Sequence, residues 1–344
     1  GSTLPLVLGG GYTGVTSVRP RPDAAFVAYT ADQELRGEIE LFVSPSATPG
    51  ASTQISVEPS ATTLAGEVFS HQPAPGGRVL FTARQESPNY VGLYTVRTAG
   101  GDLRRLSGRS APVPVLPQGR VALGAGYAVF QGARALDAGF EPAGLYAVAL
   151  DGSAEPFALH APLPEDGAVL DFVLSSDGTQ VFFRGDLAGD DQFHLYRAPI
   201  DGSAAPVQLT ASLLDGRDVQ DEYRAASASV VVYRVDTAGV RELYAADGAG
   251  PPRKLHPALG AGQTVDRFEL SPDGTRAVYL VHLGPASIGD DLLSVPVDGS
   301  SAPVKLSGTL VQGELDEFHI AADGATVAFL VWRGSSVGFH LYRA

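Results

Sequence analysis

A Leu followed by an aromatic residue returns at Leu41-Phe42, Leu93-Tyr94, Leu145-Tyr146, Leu195-Tyr196, Leu243-Tyr244 and Leu341-Tyr342, with Leu293-Ser294 a weaker copy. Successive leucines lie 52, 52, 50, 48, 50 and 48 residues apart. A period of this size constrains a fold more than composition does, because each repeat is one supersecondary unit that buries its apolar faces against its neighbours. Seven units account for nearly all of the 344 residues.

Within a repeat the same order of signals recurs. A short alternating segment, such as Asp266 to Leu270, leads into an Asp-Gly turn and a strand rich in Val, Phe and Tyr. A variable loop comes next, then the Leu-Tyr strand, a second Asp-Gly turn and a last strand such as Pro206-Val207-Gln208-Leu209. Asp-Gly between alternating apolar runs is a hairpin signal, since two-residue turns need positive φ at both central positions. No window of eleven or more residues carries a 3.6-residue period, so almost no helix is expected. Four strands per repeat predict an all-β, seven-bladed β-propeller of four-stranded antiparallel blades, a single domain over residues 1–344. The blades are placed at about 14–57, 66–108, 119–160, 168–210, 219–257, 265–308 and 315–344. The seventh repeat stops where its last strand is due. Leu4-Pro5-Leu6-Val7-Leu8 matches that missing strand, so a closing strand at residues 3–8 is expected to complete the last blade and cover its edge.

The nonapeptide SPDGTRAVY (Ser271–Tyr279), echoed by SSDGTQVFF from Ser175 and AADGATVAF from Ala321, resembles the TolB-like, WD-type propeller repeats of bacteria. The LYxxxxDG segment at Leu195–Gly202 fits the same family. The resemblance runs nearly the full length. It departs in blades 1, 3 and 5, where Asp23-Ala24, Gly124-Ala125-Gly126 and Ser227-Ala228-Ser229 replace Asp-Gly. TolB itself has an added N-terminal domain and fewer blades, so the chain is not read as TolB. What the resemblance implies is an extracytoplasmic bacterial protein (periplasmic, cell-surface or secreted) serving as a docking platform for proteins or peptides. Similar propellers also cap prolyl-oligopeptidase-type hydrolases or act as lyases.

Composition narrows the partners. With 24 Lys+Arg against 38 Asp+Glu the net charge is −14, a field that repels phosphate backbones, so no nucleic acid partner is expected. A hydrophobic fraction of 44% excludes general disorder, and no apolar run reaches the roughly 18 residues of a membrane span. Without cysteine there are no disulfides, thiolate metal sites or thiol nucleophiles. The Gly1-Ser2 start resembles the scar of a cleaved tag, so a signal or lipid anchor is not expected within this sequence. A monomer is expected.

The long variable loops, Ala133–Pro142, Asp186–Asp191 and Leu283–Asp291, fall on one face, where function on a rigid scaffold usually resides. Just inside that face the innermost strands carry Glu67, Asp171, Asp221, Glu222, Asp266, Arg267, Asp316 and Glu317. Converging carboxylates must be protonated, bridged by basic groups or paired with a cation. Arg224 and Arg267 are the internal candidates. The group therefore reads either as a site for a cationic peptide segment or a Ca²⁺-like ion, or as strand-start caps in a solvated tunnel. Gly189-Asp190-Asp191 and Gly289-Asp290-Asp291 lack the ligand spacing of a calcium loop and read as solvated turns. No cofactor is expected and the metal question stays open.

Catalysis has less support. There is no Gly-x-Ser-x-Gly elbow and no HExxH pair. The histidines sit at different strand positions. His194 and His340 precede the Leu-Tyr motif as structural repeats, and only His71 and His319 fall on innermost strands. The expected function is non-catalytic protein or peptide binding. The alternatives are a metal-dependent polysaccharide lyase or hydrolase, and an accessory propeller of a larger protein.

Overall fold

The computed structural model describes residues 14–344 apart from 21–24, 33–38, 48–50, 57–66, 86–89, 109–112, 117–118, 137–138, 211–218, 238, 285–288, 309–313 and 335–336. Every regular element among them is a β-strand. The strands form seven antiparallel sheets in plain up-and-down order, six of four strands and the last of three, which is the architecture of a seven-bladed β-propeller. The expected closing strand at residues 3–8 lies outside the described residues, as does the Asp23-Ala24 turn.

The chain divides into two compact units, residues 1–161 with sheets 1 to 3 and residues 162–344 with sheets 4 to 7. Within each unit the first strands of consecutive sheets approach one another, as Val15–Pro20 does Val68–Ala74, Ala168–Leu174 does Val219–Ala225, and Thr264–Leu270 does Glu314–Ile320. The fourth strands are two residues long, for example Val207–Gln208 and Val304–Lys305.

The Leu-Tyr repeat has a packing cause. The aromatic of the third strand stacks on one from the second strand: Tyr29 on Phe42, Phe81 on Tyr94, Phe130 on Tyr146, Phe183 on Tyr196, Tyr233 on Tyr244 and Phe329 on Tyr342, with centroids 5.4–6.0 Å apart. The preceding Leu41, Leu93, Leu145, Leu195 and Leu243 are fully buried. In sheet 6 the register pairs Tyr279 with Leu293, so Leu293 fills the aromatic position and the buried Leu292 the leucine position. The motif there begins one residue earlier than sequence alone suggests, because the aromatic that marks it has been replaced.

The Asp-Gly turns also differ from expectation. Gly178, Gly274 and Gly324 have φ of 67°, 70° and 69°, while the aspartates before them keep negative φ. The glycine N–H donates three residues back, Gly274 to the Ser271 carbonyl at 2.8 Å and Gly178 to that of Ser175 at 2.9 Å. These are type I turns closed by a left-handed glycine, and not two-residue hairpins. The aspartate serves through its side chain: Asp273 Oδ1 accepts from the Ser271 hydroxyl at 2.6 Å and the Thr275 N–H at 3.1 Å. Sheet 3, which lacks Asp-Gly, builds the turn with two positive φ values, at Ala125 (40°) and Gly126 (85°). Most of its Ala133–Pro142 segment is strand. Tyr127–Leu136 and Gly139–Ala149 pair antiparallel over this stretch, with Arg134 paired to Glu141 at 3.1 Å.

One irregularity positions the candidate site. In sheets 1, 2, 4, 5, 6 and 7 the pairing of the first two strands shifts after a hydrophobic residue, Val15, Val68, Val169, Val219, Val265 or Leu315. A β-bulge leaves its extra residue unpaired and re-aims the side chains beyond it.

Candidate functional site

The bulges set which face each first-strand side chain takes, so the acidic positions do not share one register. Asp171 resumes pairing after its bulge, opposite Arg184, and the counterparts of Asp171 are Ser70, Arg267 and Glu317. Asp266 and Asp316 are themselves the extra residues of theirs. Glu222 stands where Asp171 does one sheet earlier, each preceding a buried aromatic, Tyr223 or Phe172. Glu67 precedes its strand altogether.

Most of these acids hold arginines. Glu67 pairs with Arg84 at 2.5 Å, and that guanidinium also lies 5.0 Å from the Phe69 ring centroid. Arg184 donates to Asp171 Oδ2 at 2.5 Å, while the Tyr223 hydroxyl of the next sheet donates to Oδ1 at 2.6 Å. Arg234 pairs with Glu222 at 2.7 Å, a contact that is largely buried on both sides. Burial pushes the Arg234 guanidinium down from its ordinary range, with Glu222 opposing. Arg241 reaches Asp266 from the preceding sheet at 3.2 Å.

The two basic residues singled out from sequence act differently. Arg267 donates to the Asp316 backbone carbonyl and lies 5.5 Å from the Phe318 centroid. Arg224 donates to the carbonyl of its own neighbour Tyr223. Glu317 accepts from His319 at 2.7 Å, and His319 also meets Glu269 at 3.0 Å. Glu317 first, then Glu269, raises the pKa of that imidazole. Asp221 is exposed.

Two of the predicted acids meet at one cavity. Asp266 and Asp316 line a space of about 600 Å³ together with Arg241, Asp290, Glu314 and His282, and with the apolar Leu280, Leu315, Trp332 and Phe339. Trp332 and Phe339 are register partners whose rings lie 4.7 Å apart. Asp290, buried, is pinned by His282 at 2.9 Å and by the Leu315 N–H at 3.2 Å. Asp266 is spanned by Arg241, whereas Glu314 and Asp316 are exposed and carry no side-chain ion pair among the described residues. Four carboxylates against one arginine make the lining acidic. The cavity joins an aromatic wall to an acidic rim, chemistry that suits a cationic group on an apolar stem.

Sequence reasoning missed Glu314, Asp290 and the aromatic pair. Glu314 and Asp316 flank buried Leu315 at a spacing of two, which puts them on one face of a strand, and that alternation was the available signal. Asp290 lay hidden in a presumed turn.

The remaining polar candidates are structural. Asp186, buried, accepts from the N–H groups of Ala188, Gly189, Asp190 and Asp191 at 2.7–3.3 Å and so ties its own loop. Asp291 pairs with Lys305 at 2.6 Å. His194 accepts or donates at Thr210 Oγ1, 3.2 Å away, and His340 stacks on Tyr342. Among the described residues no group of three His, Asp or Glu side chains lies close enough to hold a metal ion.

No family model and no curated protein matches the chain, so the TolB-like resemblance rests on its repeat motif. Solved structures do match. A prolyl endopeptidase aligns over 96% of this chain and 49% of its own at 13% identity, with a TM-score of 0.50. A puromycin-hydrolysing peptidase of Mycobacterium tuberculosis aligns over 96% and 51% at 17% identity, with a TM-score of 0.47. Prolyl oligopeptidase B from Galerina marginata, bound to a 25-residue macrocyclization substrate, aligns over 96% and 48% at 11% identity, with a TM-score of 0.48. The chain thus spans about half the length of these peptidases, and its likeness to the prolyl endopeptidase is one of fold, that of a β-propeller.

Proposed function

We propose that this chain is a non-catalytic propeller module of the bacterial envelope or exterior that captures a cationic segment of a peptide or protein. The observation that supports the reading is the cavity bounded by Asp266, Asp290, Glu314 and Asp316 beside Trp332 and Phe339. A Lys or Arg enters with its methylenes along the aromatic pair and its charge at Glu314 and Asp316. Rigid sheets hold these groups in place beforehand, which lowers the ordering cost of binding. The extracytoplasmic setting rests on the resemblance of the repeat alone.

Titration with short peptides carrying Lys or Arg next to Phe or Leu tests the reading. Binding is expected to weaken with salt, and to fall about fivefold for each of Glu314→Gln and Asp316→Asn. Equal affinity for the double variant, or for peptides with the cation replaced by Gln, overturns it.

A second reading is favoured by one specific observation, the 49% coverage of a prolyl endopeptidase. On that reading the module works inside a larger protein, and the cavity selects segments for a partner domain that does the chemistry. Limited proteolysis of the full native gene product, with mass measurement of the fragments, separates a lone propeller from a two-domain protein.

A further inference from the structure

Sheets 2 and 7 handle the same position in the repeat in opposite ways. In sheet 2, Glu67 directly precedes Val68, the residue after which the first two strands shift their pairing, and it faces Arg84, whose N–H donates to the Glu67 carbonyl at 2.9 Å. The Glu67 carboxylate holds the Arg84 guanidinium at 2.5 Å. That guanidinium also lies 5.0 Å from the ring centroid of Phe69, the unpaired residue of the bulge. In sheet 7, Glu314 precedes Leu315 in the same way, but its register partner is Trp332, and the unpaired residue of the bulge is Asp316. Sheet 7 thus carries the acid of this setting with a tryptophan where sheet 2 has its arginine, and a second acid where sheet 2 has its ring.

The replacement changes what the acid faces. Glu314, Trp332 and Phe339 are successive register partners across the three strands, which sets a carboxylate beside two aromatic side chains. Both Glu314 and Asp316 are exposed, and neither side chain has an ion pair among the described residues. Elsewhere in the same cavity a guanidinium of this chain is already accommodated, Arg241 against Asp266 at 3.2 Å.

We propose that this cavity selects arginine over lysine, an arginine from outside taking the part that Arg84 plays in sheet 2. The inference rests on the cation-capture reading above and names the residue captured. A guanidinium is planar and weakly hydrated, so it lies against Trp332 and Phe339 while its separate N–H groups reach Glu314 and Asp316. An ammonium is a compact, strongly hydrated point charge that gains less from the rings.

Trp332 is the only tryptophan of the chain, so its fluorescence reports on the cavity directly. The whole chain is titrated with a blocked Leu-Arg-Gly peptide and with its lysine and citrulline counterparts, citrulline keeping the shape of arginine without the charge. The arginine peptide is expected to bind about tenfold tighter than the lysine peptide, and the citrulline peptide more weakly than either. Phe339 is more than half exposed, so Phe339→Leu leaves the fold in place, and it should narrow the arginine preference to about threefold. Glu314→Gln should weaken both charged peptides. Equal affinity for arginine and lysine with citrulline weak, or an arginine preference undiminished in Phe339→Leu, overturns the inference and leaves cation capture standing. No binding by any peptide, or citrulline bound as tightly as arginine, overturns both.

Discussion

The first strands of residues 1–161 and those of residues 162–344 all pair antiparallel with the second strand of their sheet, yet they differ in chemistry. Val15–Pro20, Val68–Ala74 and Val121–Gly124 contain no carboxylate, and their charged or titratable members are Arg19 and His71. Their counterparts Ala168–Leu174, Val219–Ala225, Thr264–Leu270 and Glu314–Ile320 contain eight carboxylates (171, 221, 222, 266, 269, 314, 316 and 317) against Arg224 and Arg267. The backbone repeat is carried by buried Val, Leu and aromatic positions. Those positions leave the intervening residues free to set charge, so one scaffold presents two unlike surfaces.

The two regions also contain turns of one conformation in unlike surroundings, and substitution should expose the difference. The largest effect is expected at the turns. A Cβ on Gly274 would lie 1.8 Å from the Ala226 carbonyl oxygen at a φ of +70°, so Gly274→Ala should cost about 4 kcal/mol in chemical denaturation. Gly76, with the same φ of +70° and nothing within 4 Å, should lose only about 1 kcal/mol on the same change. Equal losses would remove the claim that only the first turn is wedged against its neighbouring sheet.

Next comes the buried pair of residues 162–344. Arg234→Met strands Glu222 without its cation and should cost about 3 kcal/mol, much of it recovered by adding Glu222→Gln. No recovery would show that Arg234 acts through packing.

The two histidines should then give opposite pH signatures. His71 falls from 6.5 unfolded to about 4 folded, so its contribution is complete above pH 6.5 and is lost as the pH falls toward 4. The difference amounts to at most about 3 kcal/mol, and His71→Gln should flatten that part of the stability profile. His319, raised by Glu317 and Glu269, contributes below its unfolded value and loses that contribution as the pH rises through the folded one. The effect is small because the ring is exposed. A His319→Gln stability profile unchanged from acid to neutral pH would dismiss it, and midpoints for all seven imidazoles can be read by NMR.

Much of the fold was legible because its signals are local. The Leu-aromatic motifs and the Asp-Gly turns each act within a few residues, and the sheets satisfy them independently. The turn type was not legible, since Asp-Gly is compatible with either geometry and Ser271 and Thr275 decide between them through the Asp273 carboxylate. Register was lost at the bulges. Strict alternation grouped Glu67 with Asp171, although one precedes its strand and the other comes after a bulge. The cavity was only half legible because Arg241, Asp290 and Trp332 arrive from different sheets, at separations no period encodes. The arginines facing Asp171 and Glu222 do sit on the adjoining strand, and a search for complementary charge across each hairpin would have found Arg184 and Arg234.

The bulge in the first strands also has a consequence for how such a chain can change length. In sheet 6 the segment Val265 to Phe268 spans three steps against two on its partner, while in sheet 5 Val219 to Tyr223 spans four against two. The irregularity has absorbed one more residue there, and the strand beyond it rejoins its partner with Tyr223 still buried. Insertions at this point are thus confined to a few ångströms of backbone. Side chains there can be added or re-aimed, one sheet at a time, while the rest of that sheet keeps its packing.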